Sequence, residues 1–264
     1  LRYTEKIELL PYHTLGVTKY SKLEIKYPLE GVPAMDIDRL RELEDYLFDQ
    51  LQNRWKPVLL YTLNMSYNPW HGCHKISEGC VHCYMFRGDE RYNRNPNDVH
   101  KTSSFKLPIQ KDRSGKYKIP SNTTIFTCFT SDFFLEEADE WRKDVYQMMK
   151  ERSDCHFFLT TKRIDRFHVS LPEDWGDGYP NVTIAVTIEN QRQADLRLPI
   201  YTRLPIQHKC ILLEPLLEEV DIRKYLWNVE ELVAGGESGP EARPCDYAWV
   251  LDLRDQALEK NINF

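Results

Sequence analysis

From about residue 55 onward, short β-branched or aromatic runs alternate with stretches whose apolar residues have helical spacing. Apolar strands that alternate with helices are typical of parallel βαβ units, in which the sheet is covered on at least one face. Six such units predict an α/β fold, a partial (β/α)6 TIM-like barrel over residues 55–264, with a doubly wound sheet as the alternative. The six predicted strands lie in KPVLLYTLNM, TTIFTCFTSD, CHFFLTTKR, NVTIAVTIEN, KCILLEPLLE and EELVAGGESG.

The clearest helix candidate between two of these runs is EEADEWRKDVYQMMKERSD. Its apolar residues recur at helical spacing and predict a stripe that faces the core. The stripe consists of Ala138, Trp141, Val145, Met148 and Met149. A second helix candidate, DYAWVLDLRDQALEK, follows the last predicted strand.

Residues 1–54 have a different organisation. KIELLPYHTLG reads as a strand that runs into a turn, and Asp36 can cap a helix with one apolar face in DIDRLRELEDYLFDQLQN. One strand and one helix bury too little surface to fold alone. We therefore expect a strand–helix extension that docks on the rest of the chain or on another chain.

Charge and hydropathy limit the function classes. The chain carries a net charge of −6, which argues against affinity for polyanions over the whole surface. No apolar run reaches the length of a membrane span, and LRYTEKIELL lacks the features of a signal peptide. Seven cysteines, an odd number of which only three cluster, fit a reducing cytoplasm better than a disulfide framework. The absence of an initial Met and the abrupt end after EKNINF would suit a fragment.

Residues 87–118 depart from this acidic balance. They hold nine Lys or Arg against four Asp or Glu, with Tyr92, Phe105 and Tyr117 between them. A solvated insertion loop is one interpretation. The other is a surface for a nucleic acid strand or a phosphate-bearing substrate.

Polar residues end each predicted strand. The carboxyl ends of parallel barrel strands meet at one face, where active sites of such barrels lie. We therefore expect a shared pocket, with catalytic or orienting roles for Asp132, Lys162, Glu189 and Glu214.

The first predicted strand runs into GCHKISEGCVHCYMF, which places Cys73, Cys80 and Cys83 within eleven residues. These thiols could hold a structural zinc with a histidine as fourth ligand, giving a Cys3His site. They could instead hold an iron–sulfur cluster with one open iron, or stay unligated. The fourth zinc ligand would be one of His71, His74 and His82. The loop would lie over the mouth of a barrel, a place that favours a catalytic cluster over a structural zinc. The other four cysteines read as buried, inert thiols: Cys128, Cys155, Cys210 and Cys245.

The cysteine loop after strand one, the Cys-x2-Cys-Tyr sequence and the six units together resemble the radical S-adenosylmethionine superfamily. The resemblance implies a [4Fe–4S] cluster on Cys73, Cys80 and Cys83 whose open iron binds S-adenosylmethionine. It further implies a 5′-deoxyadenosyl radical and an electron donor such as flavodoxin or ferredoxin. The usual spacing in that superfamily is Cys-x3-Cys-x2-Cys, and this chain has six residues in the first gap.

Residues 64–264 also resemble an uncharacterised phage-associated three-cysteine-motif family. The segments that carry this resemblance are NPWHGCHKISEGCVHCY, SDFF, LTTKR, VTIENQRQADLRLP, LLEPLLEEVD and VAGGESGPEARP.

Residues 1–52 resemble the C-terminal tail of pyruvate formate-lyase activating enzymes, through IELLPYHTLG and KYPLEGVP. In those enzymes the histidine of LLPYH contacts S-adenosylmethionine, a role that would fall on His13. The alternative is that His13 has no ligand here, because the tail precedes the cysteine loop instead of following it.

AGGESG is similar to the Gly-Gly-Glu motif that binds the amino group of S-adenosylmethionine in the superfamily, although it follows the sixth strand here and the second strand there. Paired glycines let a ligand approach the backbone, and Glu237 can accept hydrogen bonds from an ammonium group. A tight turn is the alternative. The cofactor-binding candidates are His13, Tyr84, Gly235, Gly236, Glu237 and Ser238. The competing hypothesis for the whole protein is a zinc-stabilised nucleic-acid-binding protein without redox chemistry.

Overall fold

The computed structural model describes residues 63–264. The predicted extension over residues 1–54, with His13, lies outside the described residues. In chain order the strands are β1 (Leu63–Tyr67), β2 (Trp70–His71), β3 (His100–Lys101), β4 (Thr123–Thr127), β5 (His156–Thr161), β6 (Val182–Thr187), β7 (His208–Leu213) and β8 (Glu231–Ala234). The α-helices are α1 (Tyr84–Arg91), α2 (Asp139–Glu151), α3 (Gln191–Tyr201) and α4 (Tyr247–Glu259).

Six of these strands form one parallel sheet in the order β1-β4-β5-β6-β7-β8, and β2 pairs with β3 in a separate antiparallel ribbon. Every strand of the main sheet neighbours the strand that follows it along the chain, apart from the inserted ribbon. A doubly wound sheet reverses its order at one point. The observed order has no reversal, so the doubly wound alternative is wrong.

The carboxyl ends of the six strands lie at the same edge of the sheet. Tyr67 pairs with Thr127, Thr187 with Leu212, and Leu213 with Ala234, so the strand ends are nearly in step. β6 and β7 are buried along almost their whole length, because residues on both faces of the sheet are covered.

The last five predicted strands and the two clearest helices are confirmed. Of the first predicted run, KPVLLYTLNM, only residues 63–65 lie in the described part of the chain, and they belong to β1. Ala138, Val145, Met148 and Met149 of the predicted stripe are buried against the sheet, and Trp141 packs beside them. Asn190 and Asp246 cap α3 and α4 by accepting hydrogen bonds from backbone N–H groups.

Two crossovers differ from the expected alternation of strand and helix. The connections from β5 to β6 and from β7 to β8 contain 3-10 segments, Ile164–Arg166 and Arg223–Asn228, where the pattern predicts α-helices. The first connection carries two prolines and two glycines between residues 172 and 180, which interrupt a helix. Among residues 63–264, no helix is both long and apolar enough to span a bilayer.

Candidate functional site

The cysteine loop, residues 72–83, lies between β2 and α1 at the carboxyl edge of the main sheet. At its start the Gly72 backbone has φ +92, and a Cβ there would approach the Asp98 carbonyl oxygen to 2.5 Å. Only glycine fits this close crossing of two backbones. The Ser131 hydroxyl, beyond the end of β4, donates to the Gly72 carbonyl at 2.5 Å, so the loop begins at a fixed place over the sheet.

The loop contacts the ends of several strands. Beyond β5, Arg163 donates to the His74 carbonyl at 2.7 Å and lies 3.8 Å from Cys73 Sγ. Beyond β6, Glu189 accepts from the Ser77 hydroxyl at 2.7 Å. Beyond β8, Glu237 is bonded to His82 Nδ1 at 3.0 Å. One loop therefore connects strand ends that are far apart in the sequence.

The three thiols of the loop are in different environments. Cys80 is buried, with its Sγ 3.6 Å from the Ser77 hydroxyl, and Cys73 and Cys83 are half-buried. Burial raises the pKa of the Cys73 thiol to about 12, with the charges of Asp132 and Cys80 adding to the effect and Arg163 opposing it. The seven cysteines are all free thiols.

The donor set fits an iron–sulfur cluster in its chemistry. Three free thiols stand on one loop, and a guanidinium beside Cys73 favours the thiolate that such a cluster requires. Within residues 63–264, no three Cys, His, Asp or Glu side chains are gathered as a ready metal site. Closing the three thiols around a metal group would therefore require the loop to adjust.

The three histidines near the loop each have a carboxylate partner. His71 Nε2 lies 2.7 Å from Asp89, His74 Nε2 lies 2.5 Å from Glu137, and His82 Nδ1 lies 3.0 Å from Glu237. Of the three, His82 stands between Cys80 and Cys83, and its Nε2 is 3.9 Å from the exposed Glu241.

Asp132 is buried and fully engaged within the protein. Its carboxylate accepts from the Thr161 hydroxyl at 2.7 Å and from the Lys162 N–H at 2.7 Å. It also accepts from the Phe134 N–H and pairs with Arg163 at 3.2 Å. Asp132 thus ties the end of β4 to the end of β5 and holds the arginine that contacts the cysteine loop.

Glu189 is completely buried and neutralised by two cations. Lys162 donates to one carboxylate oxygen, and Arg197 of α3 donates to the other at 2.9 Å. A Cβ on Gly79 would lie 2.3 Å from the Glu189 Cγ, so the loop backbone packs directly on this side chain. The predicted residues Lys162 and Glu189 are brought together here, as an ion pair of a half-buried lysine with a buried carboxylate under the loop.

Glu237 is held by Arg243 and His82. The Arg243 N–H and Nε donate to its carboxylate at 3.0 and 2.9 Å, and Nη2 donates to the second oxygen. These hydrogen bonds lower the pKa of Glu237 to about 2, with that of His82 adding to the effect. Arg243 also donates to the Glu78 carbonyl at 3.0 Å. The motif AGGESG therefore fastens the loop to β8.

Glu214, beyond β7, differs from the other three carboxylates. It is exposed, and it makes no hydrogen bond or ion pair with any other residue of the described range 63–264. Gly235 lies against it, because a Cβ there would approach Glu214 Oε1 to 2.5 Å. Burial raises the pKa of the Tyr84 hydroxyl, and the negative charges of Cys83 and Glu214 add to the effect.

The other predicted cofactor-binding residues lie beside this carboxylate or form turns. Tyr84 donates to the Phe129 carbonyl beyond β4, and the Ser238 carbonyl accepts from Arg87 at 2.5 Å. A Cβ on Gly236 would contact Cys245 at 3.3 Å. Tyr84, Gly235 and Glu214 thus stand together at one side of the cysteine loop.

Residues 87–118 form an ordered insertion in which eight of the nine Lys and Arg side chains are exposed and Arg87 is half-buried. Arg87 points back to the loop, where it donates to the His82 carbonyl at 2.9 Å. Phe105 is buried under Lys101, whose Nζ is 4.3 Å from the ring centre. The insertion thus contributes β3 and a hairpin beyond it, and it is not a simple solvated loop.

Sequence reasoning missed several residues that fasten the site: Ser77, Gly79, Arg197 and Arg243. Arg197 carried a usable signal, because it stands on the same helical face as the buried Ala194, Leu198 and Tyr201. A charged residue at a core position requires a buried partner. Of the four cysteines predicted to be buried, Cys245 is wrong, since it lies half-buried in an irregular segment before α4.

Comparisons with curated proteins give short matches. The chain is 50% identical over 52 residues to pyruvate formate-lyase-activating enzyme of Clostridium pasteurianum, which is 20% of this chain and 22% of the relative. It is 38% identical over 56 residues to the enzyme of the same name from Streptococcus mutans, 21% of each chain. Choline trimethylamine-lyase activating enzyme of Oleidesulfovibrio alaskensis is 50% identical over 38 residues, 14% of this chain and 12% of the relative.

The chain thus spans about a fifth or less of the length of these curated relatives. No solved structure matches. A family match, in contrast, extends over the entire sheet and the cysteine loop. It covers residues 60–264, and the chain belongs to this family, described as "Protein of unknown function (DUF5131)".

Proposed function

We propose that this protein is a radical S-adenosylmethionine enzyme, with a [4Fe–4S] cluster held by Cys73, Cys80 and Cys83. The observation that carries the proposal is the cysteine loop itself, whose three free thiols lie at the edge of the sheet where the strands end. Glu214, a carboxylate with no partner among the described residues, lies at the same edge. The short similarity to activating enzymes, a radical S-adenosylmethionine family, supports the same chemistry. When bound, the cluster and S-adenosylmethionine supply one-electron chemistry that yields a 5′-deoxyadenosyl radical.

The proposed architecture is a partial barrel, and the contacts around α1 support curvature of the sheet. Tyr84 bonds to the segment after β4, and Arg87, one helical turn later, bonds to the segment after β8. In a flat sheet these strands would be four steps, or about 19 Å, apart. Two side chains from adjacent turns of one short helix span that gap more easily if the strand ends converge.

The site residues fall into two proposed roles. Glu214, with Gly235 at its side, is exposed and would bind a cationic group of the ligand, such as an ammonium. Asp132, Lys162, Glu189 and Glu237 are engaged with other protein groups and would position the loop. We therefore do not assign these four residues to contact with the substrate, because their charged atoms already have partners within the protein.

The reaction would need an electron donor of the flavodoxin or ferredoxin class. The curated relatives are named for activating another enzyme. By analogy, a protein substrate is one candidate for this chain. We place the chain in the cytoplasm, because its free thiols suit a reducing compartment.

Anaerobic purification with iron and sulfide analysis tests this proposal. We expect about four irons per chain, and a paramagnetic signal after dithionite reduction that changes on addition of S-adenosylmethionine. Cys80→Ala should lose the iron. The matched control, Cys155→Ala, removes a buried thiol outside the loop and should retain it. Full iron and sulfide in Cys80→Ala would contradict the assignment.

A second candidate function is a zinc-stabilised protein that binds nucleic acid through residues 87–118. One observation favours it: Glu237 binds His82 Nδ1 at 3.0 Å, the arrangement by which a carboxylate orients a histidine whose other nitrogen binds zinc. The same purification separates the candidates, because a colourless protein with one tightly held zinc would support this one. His82→Ala would then lose the zinc.

A further inference from the structure

A basic hairpin, residues 110–118, projects from the insertion between α1 and β4. Lys111 bridges to Tyr117 in antiparallel register, and the Lys118 N–H donates to the Gln110 carbonyl at 2.8 Å. Asp112 organises the turn by accepting from the Ser114 N–H at 2.8 Å and from the Lys116 N–H at 3.1 Å. The turn is thus fixed by its own hydrogen bonds.

The hairpin concentrates positive charge on a chain whose net charge is −6. Between residues 106 and 118 there are five exposed cations and one carboxylate, and that carboxylate, Asp112, is used inside the turn. None of the five forms an ion pair with another residue of the described range 63–264. They are Lys106, Lys111, Arg113, Lys116 and Lys118.

The carboxylates nearest the hairpin are occupied. Glu151 accepts from the Tyr117 hydroxyl at 2.8 Å, and Asp154 is held by Arg152 at 2.8 Å. Arg152, itself buried, donates to the Pro108 and Ile119 carbonyls and so anchors both ends of the hairpin to the end of α2. The positive surface therefore stands on a rigid base.

The aromatic residues of the insertion do not offer a stacking platform on the hairpin. The Tyr117 ring has the Arg152 guanidinium 4.2 Å and the Lys111 ammonium 4.8 Å from its centre. Phe105 is buried, and the exposed Tyr92 lies at the end of α1, outside the hairpin. Proteins that bind single strands rely on bases stacked against free aromatic rings. Contacts to phosphates need only cations.

We propose that the basic hairpin binds the phosphate backbone of duplex nucleic acid. A duplex presents closely spaced phosphates and keeps its base faces stacked inside, which matches a surface with cations and no free ring. The acidic remainder of the chain repels the duplex and restricts it to this face. The inference holds for either metal in the cysteine loop.

Fluorescence anisotropy with a labelled duplex of about 20 base pairs, titrated at several salt concentrations, tests the proposal. Four contacts predict a slope of about −4 in a plot of log K against log salt. The test variant combines Lys111→Gln, Arg113→Gln, Lys116→Gln and Lys118→Gln. The control combines Arg203→Gln, Lys224→Gln, Arg254→Gln and Lys260→Gln, which are also exposed and change the net charge by the same amount.

We expect the affinity of the hairpin variant for the duplex to fall at least about tenfold, and its plot of log K against log salt to lose most of its slope. The control variant should keep the wild-type affinity and slope. Arg113→Gln alone, at the turn, should reduce the slope by about one. Equal loss in the two fourfold variants would overturn the proposal, and so would tighter binding of the unpaired strands than of the duplex. Circular dichroism should show the same fold for all variants, because every substituted side chain is exposed.

Discussion

At the scale of single residues, the carboxylates at the strand ends fall into two groups that sequence could not separate. Asp132, Glu189 and Glu237 are engaged by cations and N–H groups, and Glu214 has no partner among residues 63–264. The chain pattern correctly predicted that all four lie at one edge. Their partners come from segments up to 155 residues away, so the local sequence could not show which carboxylate is left for a ligand.

This division predicts opposite outcomes for two conservative substitutions. Glu189→Gln leaves the half-buried Lys162 and the buried Arg197 without their counter-charge, and we expect the free energy of unfolding to fall by about 3 kcal/mol. Glu214→Gln removes an exposed, unpaired charge and should leave stability unchanged while weakening S-adenosylmethionine binding. Urea denaturation and ligand titration of both variants check this. A stable Glu189→Gln would disprove the structural role.

Glu237 gives a prediction about pH. Because Arg243 lowers its pKa from 4.5 to about 2, the ionised form stabilises the fold above about pH 4.5, and that contribution is lost as the pH falls from 4.5 to 2. Glu237→Gln should therefore be less stable than wild type at about pH 6, with the difference shrinking at about pH 3. Denaturation midpoints at several pH values test this. The wild type also carries Asp154, whose pKa is about 2, so only the difference between the two proteins reports Glu237. A difference independent of pH would contradict the assignment.

At the scale of elements, the strands were predicted well because their β-branched and aromatic runs are nearly continuous. The basic hairpin was not predicted as an element, since its residues are polar and lack the alternation of a half-buried strand. Its order depends on Arg152, which lies at the end of a different element. The cysteine loop was placed correctly beyond the first strands, but its fastening residues Ser77 and Gly79 carried no chemical signal of their own.

The loop and the helix that follows it offer a matched pair of glycines. Gly79→Ala would push a Cβ to 2.3 Å from the Glu189 Cγ, whose side chain is pinned, so we expect a loss of about 2 kcal/mol. Gly88→Ala, within α1, meets no atom within 4 Å and should raise stability by up to about 1 kcal/mol. Thermal unfolding measures both. Displacement of the loop in Gly79→Ala should also speed the reaction of the buried Cys80 with a thiol reagent, and an unchanged rate would show that the loop absorbs the extra carbon.

At the scale of the whole molecule, the prediction from sequence reached the class of fold and the parallel strand order. Both follow from local patterns, namely the helical spacing of apolar residues and the apolar runs of the strands. The way the cysteine loop is fastened to the sheet depends instead on contacts between segments that are distant in the sequence. The family match covers the sheet together with the loop over residues 60–264, so these two features occur as one unit.

The consecutive order of the strands has a consequence for the sequence of events in folding. Each strand can join the sheet as soon as its predecessor is in place, because neighbours in the sheet are neighbours along the chain. The cysteine loop belongs to the first crossover, yet its anchors Glu189 and Glu237 lie 112 and 155 residues later. The thiols therefore leave the ribosome early and reach their final positions late. In that interval, before the last strand fixes the loop, the thiols are open to oxidation.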